Sequence, residues 1–382
     1  MNGSDGSPVT KLGLALRISA VSALAAGALA LGGCSHAKPE SPWRLVGRDL
    51  SGLLKEPYSD SRGVEVTYVT NREAGKDGPG CSDRSFGVNP SPAGALVYGT
   101  CTVNVPKAHF VGRIDSAEEI DGNRFFRALA HAPLTEDAFR TTLQGSDNVL
   151  VFVHGFNVRF EQAVFRAAQI AYDLKFQGKV VLFSWPSGAR AGLIDSTLIN
   201  RTYENNRRSA AATLPLATAF FKQLAASGAR VHVIIHSMGH QVVIPALAAA
   251  AEGASQPFLQ ELILNAPDYD VDEFLRVAPS LKKAAGRVTL YCSPNDTAIS
   301  VSQSYNSGGR RLGGCESFPG IDVINAADID TSALGDRLGH GYYSSRAILT
   351  DVFQVLLGIE ADKRLFIRRS EPGRVENYFL RP

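Results

Sequence analysis

From Asn148 onward, short uninterrupted apolar runs alternate with segments of helical period. The runs are NVLVFVHG (148–155), KVVLFSWP (179–186), RVHVIIHS (230–237), ELILNAPD (261–268) and RVTLYCSPND (287–296), with a weaker IDVINAADI (321–329). Apolar residues at consecutive rather than alternate positions mark strands covered on both faces. Between the first two runs, Phe160, Val164, Ala167, Ile170 and Leu174 recur at three- and four-residue spacing, which gives a helix one apolar face. The alternation predicts an α/β fold, a mostly parallel central sheet with helices on both faces. Upstream, VEVTYVTNR (64–72) and ALVYGTCTVNVP (95–106) flank a glycine-rich loop and predict an N-terminal antiparallel edge to that sheet. No GxGxxG or GxxxxGK[ST] follows the first run, so the nucleotide-binding version of this architecture is not indicated.

The start of the chain follows a different pattern. Lys11 and Arg17 precede an apolar, small-residue run from Ile18 to Leu31 that closes with LGGC. Such a run is short for a membrane span and matches the core of a signal peptide. It resembles the lipobox of bacterial lipoproteins, which implies cleavage before Cys34 and lipidation of that cysteine. Ser35, in place of an aspartate, favours the outer membrane. The expected organisation is a signal peptide over 1–33, a tether over 34–63, one α/β domain over 64–360 and a solvated or loosely docked basic tail over 361–382. With 39 basic against 37 acidic residues, the net charge of +2 offers no footprint for nucleic acid. In an oxidising compartment Cys81, Cys101, Cys292 and Cys315 form an even set, and proximity favours Cys81 with Cys101 and Cys292 with Cys315 among three connectivities. Four buried free thiols are the alternative. No cysteine or histidine cluster points to a metal, and no cofactor is expected.

Candidate chemistry falls where the runs end, which is where an open parallel sheet binds ligands. In VHVIIHSMGHQVVIPAL a strand passes into a helix with no room for a loop, so Ser237 is expected on a tight strand-to-helix turn. Gly239 follows it as the G-x-S-x-G pattern requires, while Ile235 replaces the first glycine. The N–H of Met238, at the start of the following helix, is a candidate oxyanion donor, and the turn at Gly155 offers that of Phe156 or Asn157 as a second. His236 neighbours the serine on a strand and is a poor base, because adjacent strand residues face opposite ways. YCSPND places Asp296 after a later strand and LGHGYY places His340 after the last. A serine hydroxyl needs a histidine to take its proton and an acid to orient the imidazole; Ser237, Asp296, His340 is the chain order of such a triad. Asp268, Asp270 and Asp272 lie after the preceding strand. Of these, Asp268 is the rival acid, although it is expected to cap the helix that begins near Val271. The segment INRTYENNRRSAAATLPLATAFFKQL reads as an amphipathic helix with a solvated end.

Taken together, VFVHGFNV, LFSWPSGA, IIHSMGH, LILNAPDYDVDEF, LYCSPNDTA and GHGYY resemble the poorly characterised esterase/lipase-like branch of the α/β-hydrolase superfamily, over about Val64 to Gly358. The resemblance implies an α/β-hydrolase fold with Ser237 as nucleophile. The expectation is a lipid-anchored, envelope-located serine hydrolase acting on a small-molecule or lipid ester. An amidase or peptidase on the same triad, or a catalytically silent envelope binding protein, are the rival readings.

Overall fold

The computed structural model describes residues 63–106, 109–115, 125–189, 196–329, 339–374 and 376–381. The expected signal segment, Cys34 and the tether up to residue 62 lie outside the described residues. The strands are β1 (Gly63–Thr70), β2 (Arg72–Ala74), β3 (Phe86–Pro90), β4 (Val97–Asn104), β5 (Arg127–Leu134), β6 (Asn148–Val153), β7 (Lys179–Ser184), β8 (Arg230–His236), β9 (Leu259–Asn265), β10 (Ala285–Cys292), β11 (Asp322–Asn325), β12 (Ile367–Arg369) and β13 (Tyr378–Leu380). The helices are α1 (Glu136–Gln144), α2 (Phe160–Asp173), α3 (Ser196–Ala225), α4 (His240–Ala250), α5 (Val271–Ala284), α6 (Thr297–Tyr305) and α7 (Arg346–Leu356).

Among the described residues one large sheet runs β12-β13-β11-β10-β9-β8-β6-β7-β1-β4-β5, and β2 pairs with β3 in a small second sheet. From β13 to β1 every neighbour is parallel, whereas β4 and β5 continue antiparallel from β1. The fold is therefore the expected α/β-hydrolase arrangement, a mostly parallel sheet with an N-terminal antiparallel edge. The continuous apolar runs are buried as their composition requires: Val149 to Val153, Val180 to Phe183 and Leu262 to Leu264 are all within the core.

The order of the strands locates the site. After β6 the chain moves to β7 on one side, then returns past β6 to β8 on the other. Strands β6 and β8 run side by side, with Val153 opposite Ile235. Their carboxyl ends diverge into connections that leave in opposite directions, and an open α/β sheet has its ligand crevice at such a switch point.

One expectation is corrected at a sheet edge. The C-terminal segment is not a solvated tail, because β13 extends the sheet beside β11, β12 pairs antiparallel with β13, and Leu380 and Ile367 are buried. Its Arg364 side chain is fully buried 3.3 Å from Asp351. At the other edge β5, with the sequence RALAHAPL, is exposed along nearly its whole length, so no periodicity announces it. Both favoured cysteine pairs form, Cys81–Cys101 and Cys292–Cys315. Among the described residues no helix is long and apolar enough to cross a membrane.

Candidate active site

Strand β8 ends at His236, and Ser237 follows with φ 52° before a single 3-10 turn leads into α4. A left-handed serine costs about 1–2 kcal/mol over a relaxed backbone. Here that conformation turns the chain from strand to helix within one residue and sets the side chain at the crevice edge. Gly239 is required by close approach, since a Cβ there would stand 2.5 Å from the His154 carbonyl oxygen. Ile235, in place of the usual glycine, is fully buried in the core, so the departure from the pattern is absorbed by packing below the turn. The elbow is braced by His240, whose Nδ1–H donates to the Ser237 carbonyl at 2.6 Å; burial depresses its pKa to about 3, so the ring is neutral.

The neighbouring strand β6 ends in His154–Gly155. A Cβ on Gly155 would lie 2.6 Å from Ser237 Cβ, so the glycine is needed because the two turns touch. The next two amides have different fates. Asn157, itself left-handed at φ 54°, donates its N–H to Asn206 Oδ1 at 3.1 Å. That oxygen also accepts from Ser187 Oγ at 2.8 Å and Gly188 N at 3.2 Å, so Asn206 ties the turns after β6 and β7 to α3. Of the two amides named from sequence, Phe156 is the one that this network leaves over.

Under this turn lies a part of the site that sequence reasoning missed. Arg72, 1 % exposed, donates Nε to Ser184 Oγ, and its two terminal nitrogens to the carbonyls of Gly87, Ser187 and Val158. It also lies 3.2 Å from His154 Nε2. A guanidinium only donates, so His154 Nε2 accepts and its Nδ1–H is directed to the Gly155 carbonyl at 3.0 Å. Burial first, and the Arg72 charge second, hold His154 well below its usual pKa. The arginine thus fixes the shape of the turn after β6. Its only advance signal is a cation at the end of an apolar strand, in VEVTYVTNR.

The histidine and its acid meet as expected. Asp296 follows β10 and His340 follows β11, and His340 Nδ1 lies 2.7 Å from Asp296 Oδ2. The Asp296 side chain is wholly buried, while His340 keeps 17 % of its surface exposed. The second oxygen, Oδ1, accepts the N–H of Ile299, so Asp296 is also the N-cap of α6. The carboxylate is therefore held on one side by a helix and orients the imidazole on the other. His236 completes the enclosure: its ring stacks on Tyr343 at 3.7 Å and lies 4.8 Å from that of His340. Burial, above all, holds its pKa well below the ordinary histidine value. His236 thus faces His340, next to the serine, as a wall of the site.

Asp268 does not cap a helix. The N-cap of α5 is Asp270, which accepts from the N–H groups of Asp272 and Glu273. Asp268 is 3 % exposed and accepts instead from Tyr203 Oη at 3.0 Å and from Ser302 Oγ, with Arg311 Nε 3.5 Å away. Its own N–H approaches the Ser237 carbonyl at 3.3 Å. Asp268 therefore lies against the elbow, while of the two carboxylates only Asp296 is bonded to the histidine. Tyr203, near the start of α3, is on the buried face of that helix and packs on Phe156 at 5.8 Å between ring centres.

The alpha/beta hydrolases of unknown function (DUF900) match residues 133–359. No curated protein matches the chain. Among solved structures, the phospholipase PlaB from Legionella pneumophila, in complex with thio-NAD, aligns at 17% identity and a TM-score of 0.22. The alignment covers 52% of this chain and 41% of that one, so this chain spans less than half the length of that neighbour. The strand order, the elbow at the switch point and a family match over more than half of the sequence agree, and the chain belongs to the alpha/beta hydrolases of unknown function (DUF900).

Proposed function

We propose that the protein is a serine hydrolase that cleaves a carboxylic ester through an acyl-enzyme on Ser237. The observation that carries this reading is the 2.7 Å contact between His340 and a buried Asp296, with the His340 ring 4.8 Å from that of His236, the residue before the left-handed serine at the switch point of the sheet. Asp296 accepts the Nδ1 proton, which fixes the tautomer with its lone pair on Nε2. That nitrogen takes the Ser237 proton as Oγ attacks the ester carbonyl. The oxyanion is held by the N–H groups of Met238 and Phe156, the first at the start of the helical turn where the backbone dipole favours negative charge. Collapse expels the alkoxide, which leaves as the alcohol with the proton from His340. Water then loses a proton to His340 and attacks the acyl-enzyme, releasing the acid and restoring the serine.

The fluorophosphonate reaction tests this directly. Ser237 is expected to be the labelled residue, and labelling that persists undiminished in Ser237→Ala would refute the assignment. The reading extends to location: we place the chain on the cell envelope through lipid on Cys34, with the outer membrane favoured. Cys34→Ala is expected to move the protein to the aqueous phase in detergent partitioning, and retention in the detergent phase would remove the anchor from Cys34.

A further inference from the structure

A second polar site lies beside the elbow. A cleft of about 600 Å³ opens between α3, α4, the start of α5 and the end of α6, and its lining includes Arg207, Gln241, Asp270, Glu273, Asn306 and Arg311. Gln241 stands four residues after Ser237 in α4, so the cleft begins at the flank of the serine turn. The proposed hydrolysis uses none of these side chains.

Arg311 sets the character of the cleft. Its side chain is 6% exposed, yet its Nε makes no hydrogen bond among the described residues. The nearest carboxylate oxygen, Asp268 Oδ1, is 3.5 Å off and already accepts from Ser302, while Oδ2 accepts from Tyr203. That Nε is shut away from the cleft, but the terminal nitrogens of Arg311, which lines it, donate no hydrogen bond among the described residues, and a ligand anion there would supply their acceptors. Arg207 in the lining adds a second cation, on the surface and paired with Glu204 at 3.2 Å. The same cleft carries carboxylates: Asp270, with one oxygen taken up by the α5 cap, and the exposed Glu273. A bare anion would meet repulsion from these two, and a bare amine would meet the two arginines. One ligand chemistry satisfies both ends.

We infer that this cleft binds a small zwitterion, a phosphate group on Arg311 and Arg207 with an ammonium group a few bonds away toward Asp270 and Glu273. Such a group can arrive as a free aminoalkyl phosphate or as the headgroup of a lipid. The inference stands apart from the chemistry at Ser237, because binding is read without turnover.

Calorimetric titration of the purified full-length protein with phosphoethanolamine, inorganic phosphate and ethanolamine tests it. Phosphoethanolamine is expected to bind at least tenfold more tightly than either half. Arg311→Gln should abolish that binding. Because Arg311 also neighbours the buried Asp268, the exposed Glu273→Gln provides the variant that keeps the fold, and it should bring phosphoethanolamine within about threefold of phosphate. Equal affinities for the three probes in the wild type, or an unchanged preference in Glu273→Gln, would overturn the zwitterion site. Displacement of bound phosphoethanolamine by vesicles of phosphatidylethanolamine, and not by vesicles of phosphatidylglycerol, assigns the group to a lipid; displacement by neither assigns it to the free molecule.

Discussion

Asp296 serves a helix with one oxygen and an imidazole with the other, so its substitutions separate two costs. In Asp296→Asn the amide oxygen can still accept one bond, but the amide cannot both cap α6 and hold His340 in the working tautomer. Turnover is expected to fall by about 10⁴-fold with a stability loss of about 1 kcal/mol or less, read by steady-state kinetics and denaturant melts. Asp268 behaves in the opposite way. It neutralises the buried Arg311 and accepts from Tyr203 and Ser302, so Asp268→Ala leaves a buried cation without its counter-charge. A loss of about 3–5 kcal/mol is expected, larger than any cap would give. Position after a strand was enough to pair Asp296, and not Asp268, with His340. Sequence alone misjudged the structural job of Asp268, since caps are local and Asp270, two residues on, fits the cap equally well in any one-dimensional reading. Arg72 was illegible for a related reason: its partners come from segments brought together only by the sheet.

At the scale of elements, the strands that build the site were legible because burial on both faces leaves an unbroken apolar run, and each run stops where the crevice begins. The edge strands were not. β5 is exposed and β12 and β13 are three residues each, too short for any period to declare itself. Strand β9 carries a further consequence at its far end. Glu261 is buried there with neither carboxylate oxygen hydrogen-bonded among the described residues, 3.5 Å from Arg287. Burial raises its pKa from 4.5 to about 7, against the opposing pull of Arg287 and Arg364. An acid whose pKa is raised on folding holds its proton in the native state when the unfolded chain has released it. Stability therefore falls as pH rises from about 4.5 to about 7 and stays at the lower level above that. Buried Asp351, raised to about 6, adds a loss of the same sign over a lower range. Glu261→Gln is expected to melt higher than the wild type at pH 8 and to show no such gain near pH 4, as calorimetry at the two values would reveal. The change lies at the end of the strand opposite the triad, so the pH profile of turnover should keep its shape.

For the molecule as a whole, the two disulfides brace different parts of one frame. Cys292–Cys315 joins the end of β10, four residues before Asp296, to the loop that carries Arg311. Reduction of this bridge is expected to destabilise the fold by about 3 kcal/mol, and the loss should be matched by the Cys292→Ala, Cys315→Ala double variant in denaturant melts. Cys81–Cys101 pins the long loop after β2 to β4, at the antiparallel side of the sheet.

Strand β13 gives the molecule a direction in time. Its residues are made after Ser237, Asp296 and His340, yet they flank β11, the strand that leads toward the histidine. Until Tyr378–Leu380 dock, the outer edge of β11 has an open ladder, and the turn that delivers His340 rests on an unfinished support. A growing chain would thus carry its nucleophile long before the frame around its base is closed. Activity is expected to appear with the docking of β13 and not with the synthesis of the last triad residue. Chains truncated just before Tyr378 should react with a fluorophosphonate far more slowly than chains that carry β13.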